Sequence, residues 1–259
     1  MGPGALSEPA EQELGLSTLG IVVAVTAEAR SLVKQSIANG ELVHLPDGTM
    51  LTVSGMGPRR AAVASRTLLE KGATALLSWG SAGGLASKLS PGSLILPKTV
   101  IASNRFLYHV DATWHKSLCS RLEGHVDFHT DPLVESTTVV CTPAEKVILF
   151  RETGAIGVDM ESAAVAAVAQ EAGIRFMAVR AVADAMDTTI PKSTLNAFDE
   201  FGRMSFLKLI QGLAGHPTEL FVLVRIARNY RAAQRTLAAV ARLTGKDLLV
   251  PRGATKERP

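Results

Sequence analysis

A chain of 259 residues, 47% hydrophobic and 20% charged, has the composition of a folded globular protein large enough to bury a substantial core. Aromatic residues make up only 5%, which leaves little material for stacking on nucleic-acid bases, and the two cysteines, Cys119 and Cys141, form neither a disulfide framework nor a zinc site and suit a reducing compartment. The net charge of +3 is unevenly placed: residues 219–259 carry nine Lys or Arg against three Asp or Glu, so the rest is mildly acidic, which argues against a nucleic-acid-binding core.

The opening residues, MGPGALSEPAEQEL, lack the basic start and apolar block of a secretory signal, and residues 1–18 read as a disordered leader. They fit an N-myristoylation motif poorly, because Leu6 stands where Ser or Thr is wanted. No apolar run is long enough to span a bilayer, so a cytoplasmic protein is expected. GIVVAV from Gly20 reads as a buried strand, followed by a helix from Ala27 to Ala38 capped by Thr26, with Glu28 in its first turn. Asp47-Gly48 between LVHLP and TMLTVS predicts a hairpin. Pro58 suits the first position of a helix that continues to Lys71 and stops at Gly72.

ATALLSW is a second buried strand, and GSAGG (Gly80 to Gly84) is expected to break it. The glycine tract is either a plain tight turn or a place where backbone N–H groups approach an anion or a sugar, with Ser81 adding a hydroxyl. PGSLILPKTVIAS then reads as a turn and a strand, while residues 103–136 carry no clear pattern. Thr142-Pro143 predicts the cap of a helix running to about Glu152. AIGV is a strand, Asp159 to Ala172 a helix, IRFMAVRAVA a strand, and Asn196 to Leu213 a helix. Strands alternating with helices imply a doubly wound α/β domain over residues 19–215.

Ligands of such folds bind at strand ends. Here one strand carries Arg180 and ends at Asp184, and an Asp-Met-Glu trio (Asp159 to Glu161) opens an Ala-rich helix. Glu161 in a first helical turn is either a cap or a ligand contact, and Asp184 either a salt-bridge partner or a functional acid. Arg30, Arg59 and Arg60 are either solvated surface charges or anion contacts beside helix N-termini. His44, His109, His115, His125, His129 and His216 show no metal-ligand spacing, so no metal is expected.

GSAGG, VDMES and the strand FMAVRAVAD together resemble the nucleoside phosphorylase and nucleosidase superfamily, over about Gly20 to Leu213. The resemblance implies a single α/β domain with a central twisted mixed sheet flanked by helices, a C-terminal helical extension, and cleavage of the N-glycosidic bond of a purine nucleoside. It makes Asp184 the acid that protonates N7 of the departing base, and Glu28 with Arg180 the groups that handle the nucleophile. Met160 and Glu161 would bind the ribose. Ser81, Gly57, Arg30 and Arg59 would hold phosphate or water, and Gly83 and Val140 would lie beside Asp184 at the base. Ala183 stands where the family usually has Ser, and no aromatic near Val139 to Cys141 is placed to stack on adenine. The resemblance implies no cofactor beyond inorganic phosphate as a co-substrate, a small-molecule nucleoside as partner, and a homo-oligomer. Tyr108-His109 falls where the family has a substrate-facing loop.

Residues 216–259 extend past the usual end of the family. Leu220, Leu223, Val224, Ala227, Tyr230 and Ala241 mix with Arg225, Arg228, Arg231 and Arg235 at helical spacing. Such a helix either lies on an anionic membrane surface or packs on the body or a partner subunit. With Ala183 and the missing aromatic, the tail is similar to the hopanoid-associated branch of the family. That likeness favours phosphorolysis of adenosylhopane, a lipid-linked adenine nucleoside. A hydrolytic methylthioadenosine/S-adenosylhomocysteine nucleosidase and a non-catalytic nucleoside sensor are the alternatives.

Overall fold

The computed structural model describes residues 18–191 and 219–245. The strand β1 (Leu19–Val23), buried at every position, pairs in parallel with β3 (Met50–Val53) on one edge and β4 (Ala75–Gly84) on the other. The hairpin predicted at Asp47-Gly48 joins β2 (Leu42–His44) to β3, and the Thr49 amide donates to Asp47 Oδ1 at 3.0 Å. Across the sheet, β11 (Arg175–Asp184) runs parallel to β4 and is buried from Phe176 to Val182. Burial at consecutive positions means that both faces are covered, which explains why its sequence is apolar without alternation.

Among the described residues, the remaining strands extend this core into one mixed sheet of eleven. β10 (Gly157–Asp159) is antiparallel to β4 and parallel to β9 (Leu133–Glu135), which continues to β6 (Thr99–Ile101) and its antiparallel neighbour β7 (Leu107–His109). β5 (Leu94–Ile95) pairs with β11, and β8 (Phe128–His129) with β5. One consequence positions everything that follows. With β11 along one edge of β4, the other edge is shared: β1 takes Ala75 to Trp79 and β10 takes Gly83 and Gly84. Between them lies a strand switch at Gly80 to Ala82, the kind of place where open α/β sheets bind ligands.

Several expectations change in the structure. GSAGG does not break the strand: β4 continues through it to Gly84. The helix after β1 is one turn, α1 (Thr26–Ala29), with Val25 rather than Thr26 at its cap. Ser31 ends it by donating its hydroxyl to the Glu28 carbonyl at 2.6 Å while accepting from Trp79 Nε1 at 2.9 Å, which ties the chain to β4. Asp159 belongs to β10, in register with Glu135, so the following helix α5 (Ser162–Glu171) starts later than predicted and Glu161 sits at its cap position. α2 (Pro58–Glu70) forms as expected. So does α4 (Pro143–Thr153), with Thr142 and Glu145 in a reciprocal capping box. The unreadable stretch 103–136 holds β7, β8, β9 and α3 (Ala112–Leu122), whose two- and three-residue strands are too short to show a period.

The predicted helix at Asn196 to Leu213 lies outside the described residues. The helix α6 (Glu219–Thr244) is the C-terminal helical segment, and it packs along β11 and touches β4 and α3. Ala233, Leu237 and Val240 are fully buried in the main core, while Val224, Ala227, Arg225, Arg228 and Arg231 are exposed. Thr236 Oγ donates to the Gly92 carbonyl at 2.7 Å, fastening α6 to the turn before β5. The second half of α6 is therefore part of the domain's core. Burying a Leu or Val side chain contributes about 1.5–3 kcal/mol, ample reason for the stripe. Among the described residues no helix is long and apolar enough to cross a membrane.

Candidate active site

At the strand switch, Glu28 bridges the gap left between β1 and β10. Its Oε1 accepts from the Ser81 amide and the Ser81 hydroxyl, both at 2.8 Å, and its Oε2 from the amides of Ala24 (3.1 Å) and Val25 (3.3 Å). The buried guanidinium of Arg180, on the neighbouring strand opposite Gly80, reaches the same spot. A Cβ on Gly80 would lie 2.7 Å from Arg180 Nη1 and 2.7 Å from Glu28 Oε1, so only glycine fits. The glycine tract is thus not a turn but a length of strand, and at Gly80 it leaves room for the approach of charged side chains.

Arg180 is held from behind. Its Nε donates to Asp159 Oδ2 at 2.7 Å, its Nη2 lies 2.7 Å from the same oxygen in an ion pair, and Nη2 donates to Ser78 Oγ at 2.7 Å. The same Asp159 oxygen accepts from the Ser162 amide at 3.1 Å and the Ser162 hydroxyl at 2.5 Å, which caps α5. Asp159 Oδ1 is buried with no hydrogen-bond partner. Burial works against the charge of Arg180, but Asp159, Glu161 and Glu28 around it outweigh that and raise its pKa.

Because Asp159 caps α5, Glu161 is free to turn away from the helix. Its Oε1 accepts from the Gly57 amide at 2.7 Å, ahead of α2, and its Oε2 from the Met160 amide at 3.3 Å. Desolvation first, then the charge of Asp159, push its pKa up to about 8, against the pull of Arg180 and the Gly57 hydrogen bond. A second buried carboxyl, Glu135, accepts from the Ala164 amide at 2.9 Å, and burial with the nearby Asp159 raises it to about 7. Glu28, Asp159 and Glu161 thus gather around one arginine, with Glu135 beside Asp159, and the raised pKa values of Glu161 and Glu135 mean that the cluster holds protons near neutral pH.

Asp184 closes the other end. The register of β11 against β4 shifts between Val182 and Asp184, so a bulge at Ala183 sets Asp184 opposite Gly83. A Cβ on Gly83 would meet Asp184 Oδ2 at 3.4 Å and Oδ1 at 3.5 Å. The carboxylate is 14% exposed and forms a short ion pair through Oδ2 with Lys146 Nζ. Burial raises the Asp184 pKa, and Lys146 opposes that.

The structure brings Glu28, Ser81, Arg180, Glu161, Gly57 and Asp184 to β4 and its switch. It does not bring Arg30 or Arg59 into a buried setting; both are exposed. Ser81 and Gly57, expected to hold phosphate or water, donate to Glu28 and Glu161. Val140 is half-buried against the small cluster of Leu85, Ile101, Val134, Ala155 and Val158. The side chain of Met160 is half-buried beside Glu161. Sequence reasoning gave no role to Asp159, Glu135 or Lys146. An acid at a strand end beside the arginine-bearing strand was a signal for Asp159. Nothing marked Lys146, because the run Val147 to Phe150 shows no clear apolar face.

An open α/β sheet with acid and base groups at a strand switch is the framework of a ligand-transforming enzyme. The chain belongs to the phosphorylase superfamily, a family of nucleoside phosphorylases and nucleosidases, whose sequence model matches residues 47–209. Among solved structures it shares its fold with a 5'-methylthioadenosine/S-adenosylhomocysteine nucleosidase from Helicobacter pylori, at 16% identity over 87% of this chain and 97% of that one, with a TM-score of 0.61. The futalosine hydrolase of Helicobacter pylori matches at 16% identity over 86% and 97%, with a TM-score of 0.61. A nucleosidase from S. pneumoniae of the first kind matches at 16% over 88% and 100%, with a TM-score of 0.63.

Proposed function

We propose that the protein cleaves the N-glycosidic bond of a purine nucleoside, with water as the nucleophile. The observation that carries this reading is the joint placement of Glu28, Ser81 and Arg180 over Gly80, with Asp184 three residues further along β4 over Gly83. One end handles a nucleophile and the other a leaving group. Water attacks C1′ as the bond from C1′ to N9 breaks. Glu28 takes the water proton, and Asp184 gives its proton to N7 of the departing base. Of the four donors to Glu28, three are backbone N–H groups; only the Ser81 hydroxyl can turn, and its turning opens an acceptor position for the water. Glu161 retains acceptor capacity beyond Gly57 and Met160 for ribose hydroxyls, and the surrounding carboxylates favour the positive charge that develops on the sugar.

Phosphorolysis is the less favoured reading on electrostatic grounds. A phosphate dianion would enter beside Glu28 and Asp159, compete with Glu28 for the Ser81 amide, and have Arg180 already paired to Asp159. The solved nucleosidases and the futalosine hydrolase of like fold agree with hydrolysis. A lipid-linked 5′ substituent loses part of its motivation, since α6 uses Ala233, Leu237 and Val240 for packing.

The test is release of free base from adenosine, methylthioadenosine and a 6-oxopurine nucleoside, each with and without phosphate. Phosphate-independent release with free pentose as the second product is expected. Strict dependence on phosphate, with a sugar 1-phosphate formed, would replace hydrolysis by phosphorolysis. Tight binding without release from any substrate would make the protein a sensor.

A further inference from the structure

The helix α4 buries the wrong residue for its composition. Its one buried side chain is Lys146, at 0% exposure, while Ile148 on the same helix is 56% exposed. Lysines are almost never fully buried unless paired, and burying an ammonium is expensive. Exchange for a well-packed apolar residue is often neutral or stabilising, so stability alone does not account for the arrangement.

The surroundings of the ammonium do. Lys146 Nζ donates to Asp184 Oδ2, to the Ala185 carbonyl at 2.7 Å and to the Thr188 carbonyl at 3.2 Å. These three acceptors match the three protons of an ammonium. One belongs to the candidate acid and two to the chain that leaves β11 just beyond it. That segment is also fastened to α4 where the Ile190 amide donates to the Cys141 carbonyl at 2.9 Å. Lys146 engages Oδ2, while both oxygens of Asp184 face Gly83, at 3.4 and 3.5 Å from where its Cβ would stand.

We propose that Lys146 is the positioning residue of the leaving-group acid: its ammonium fixes Asp184 by one oxygen, pins the segment 185–188, and leaves Oδ1 alone to exchange a proton with the base. This rests on reading Asp184 as that acid. The pair also sets acid strength. Lys146 is the charged group acting on Asp184, and it opposes the effect of burial, so the carboxyl can release a proton as well as hold one.

The test uses the full-length protein, Lys146→Met and Lys146→Arg, with Tm as a check of folding. In Lys146→Met the basic limb of the pH profile of kcat/KM moves upward by a unit or more, and kcat falls about tenfold or further while KM changes less. Lys146→Arg keeps the limb near its wild-type position and recovers part of kcat. A folded Lys146→Met with unchanged profile and kcat overturns the proposal. A second measurement does not need that variant to fold: NMR titration of the wild-type carboxyl of Asp184 and ammonium of Lys146. A shared transition supports the pairing, and independent transitions overturn it. If the wild type cleaves no nucleoside, the functional reading fails, and the titration still decides whether Lys146 governs Asp184.

Discussion

Glu28 and Ser81 complete each other across the strand switch: the carboxylate supplies the acceptor that neither β1 nor β10 offers to the Ser81 amide, and it takes the Ser81 hydroxyl as well. The candidate base is therefore also a hydrogen-bonding partner of the sheet. Removing it leaves a backbone N–H in need of a partner, so Glu28→Ala confounds chemistry with folding.

Gly80→Ala is the cleaner probe. The added methyl lies 2.7 Å from both Glu28 Oε1 and Arg180 Nη1 and must displace one of them. Displacements of about 1 Å at a reacting centre reduce rates by roughly 10²-fold, so kcat/KM should fall by about that much or more. Steady-state kinetics on the best nucleoside checks it, with Ser81→Ala as a milder companion. Near wild-type activity in Gly80→Ala would separate this spot from the nucleophile.

Asp184→Asn should lower turnover by roughly 10²–10⁴-fold, because an amide cannot deliver the proton. It should also destabilise the protein, by up to about 3–5 kcal/mol, since the buried Lys146 loses its counter-charge. Adding Lys146→Met should restore most of the Tm and none of the activity. Calorimetry and kinetics on the single and double variants read the two effects apart.

Glu161→Gln should weaken the contact to the sugar. With its pKa near 8, Glu161 is mostly uncharged at neutral pH, and a hydrogen bond between uncharged groups contributes about 0.5–1.5 kcal/mol, so ribonucleoside kcat/KM should drop roughly 2–10-fold. The 2′-deoxynucleoside should lose less. Equal losses for both would place Glu161 elsewhere than on the 2′-hydroxyl.

Glu135→Gln makes a pH prediction. The folded protein holds the Glu135 proton up to about pH 7, whereas the unfolded chain releases it near the ordinary value of 4.5. Between those values the unfolded state binds fewer protons, so this group's contribution to stability falls as pH rises and levels off above about 7. Gln keeps an acceptor for Ala164 and never ionises. The variant's Tm relative to wild type should therefore rise between pH 5 and pH 8; a constant difference would show that Glu135 titrates normally.

The hairpin, α2 and α4 were legible because each has local punctuation: Asp47-Gly48, Pro58, Thr142-Pro143. Glu28, Arg180, Glu161 and Asp184 stood out because charge at the edge of an apolar run is conspicuous. What sequence hid is what depends on neighbouring strands. Gly80 to Gly84 looks like a turn in one dimension, and only the pairing of β4 with β11 shows that it is strand. The bulge at Ala183 exists only relative to a partner. Lys146 looks like any exposed helical lysine until Asp184, distant in sequence, arrives above it.

Leu237→Ala should cost about 2–5 kcal/mol, a core substitution rather than a surface one. Chains ending near residue 217 should be insoluble in the absence of denaturant. Recovery of a soluble, active truncated protein would return α6 to the role of an accessory.

The position of α6 also orders events during synthesis. β11 carries both Arg180 and Asp184, yet α6, which packs along it, begins at Glu219, 35 residues downstream of Asp184. A nascent chain that has already made every candidate catalytic residue still exposes an apolar strand to its surroundings. Until the last helix emerges, the chain is a client for chaperones, and the charged groups around Gly80 have no closed interior in which to assemble.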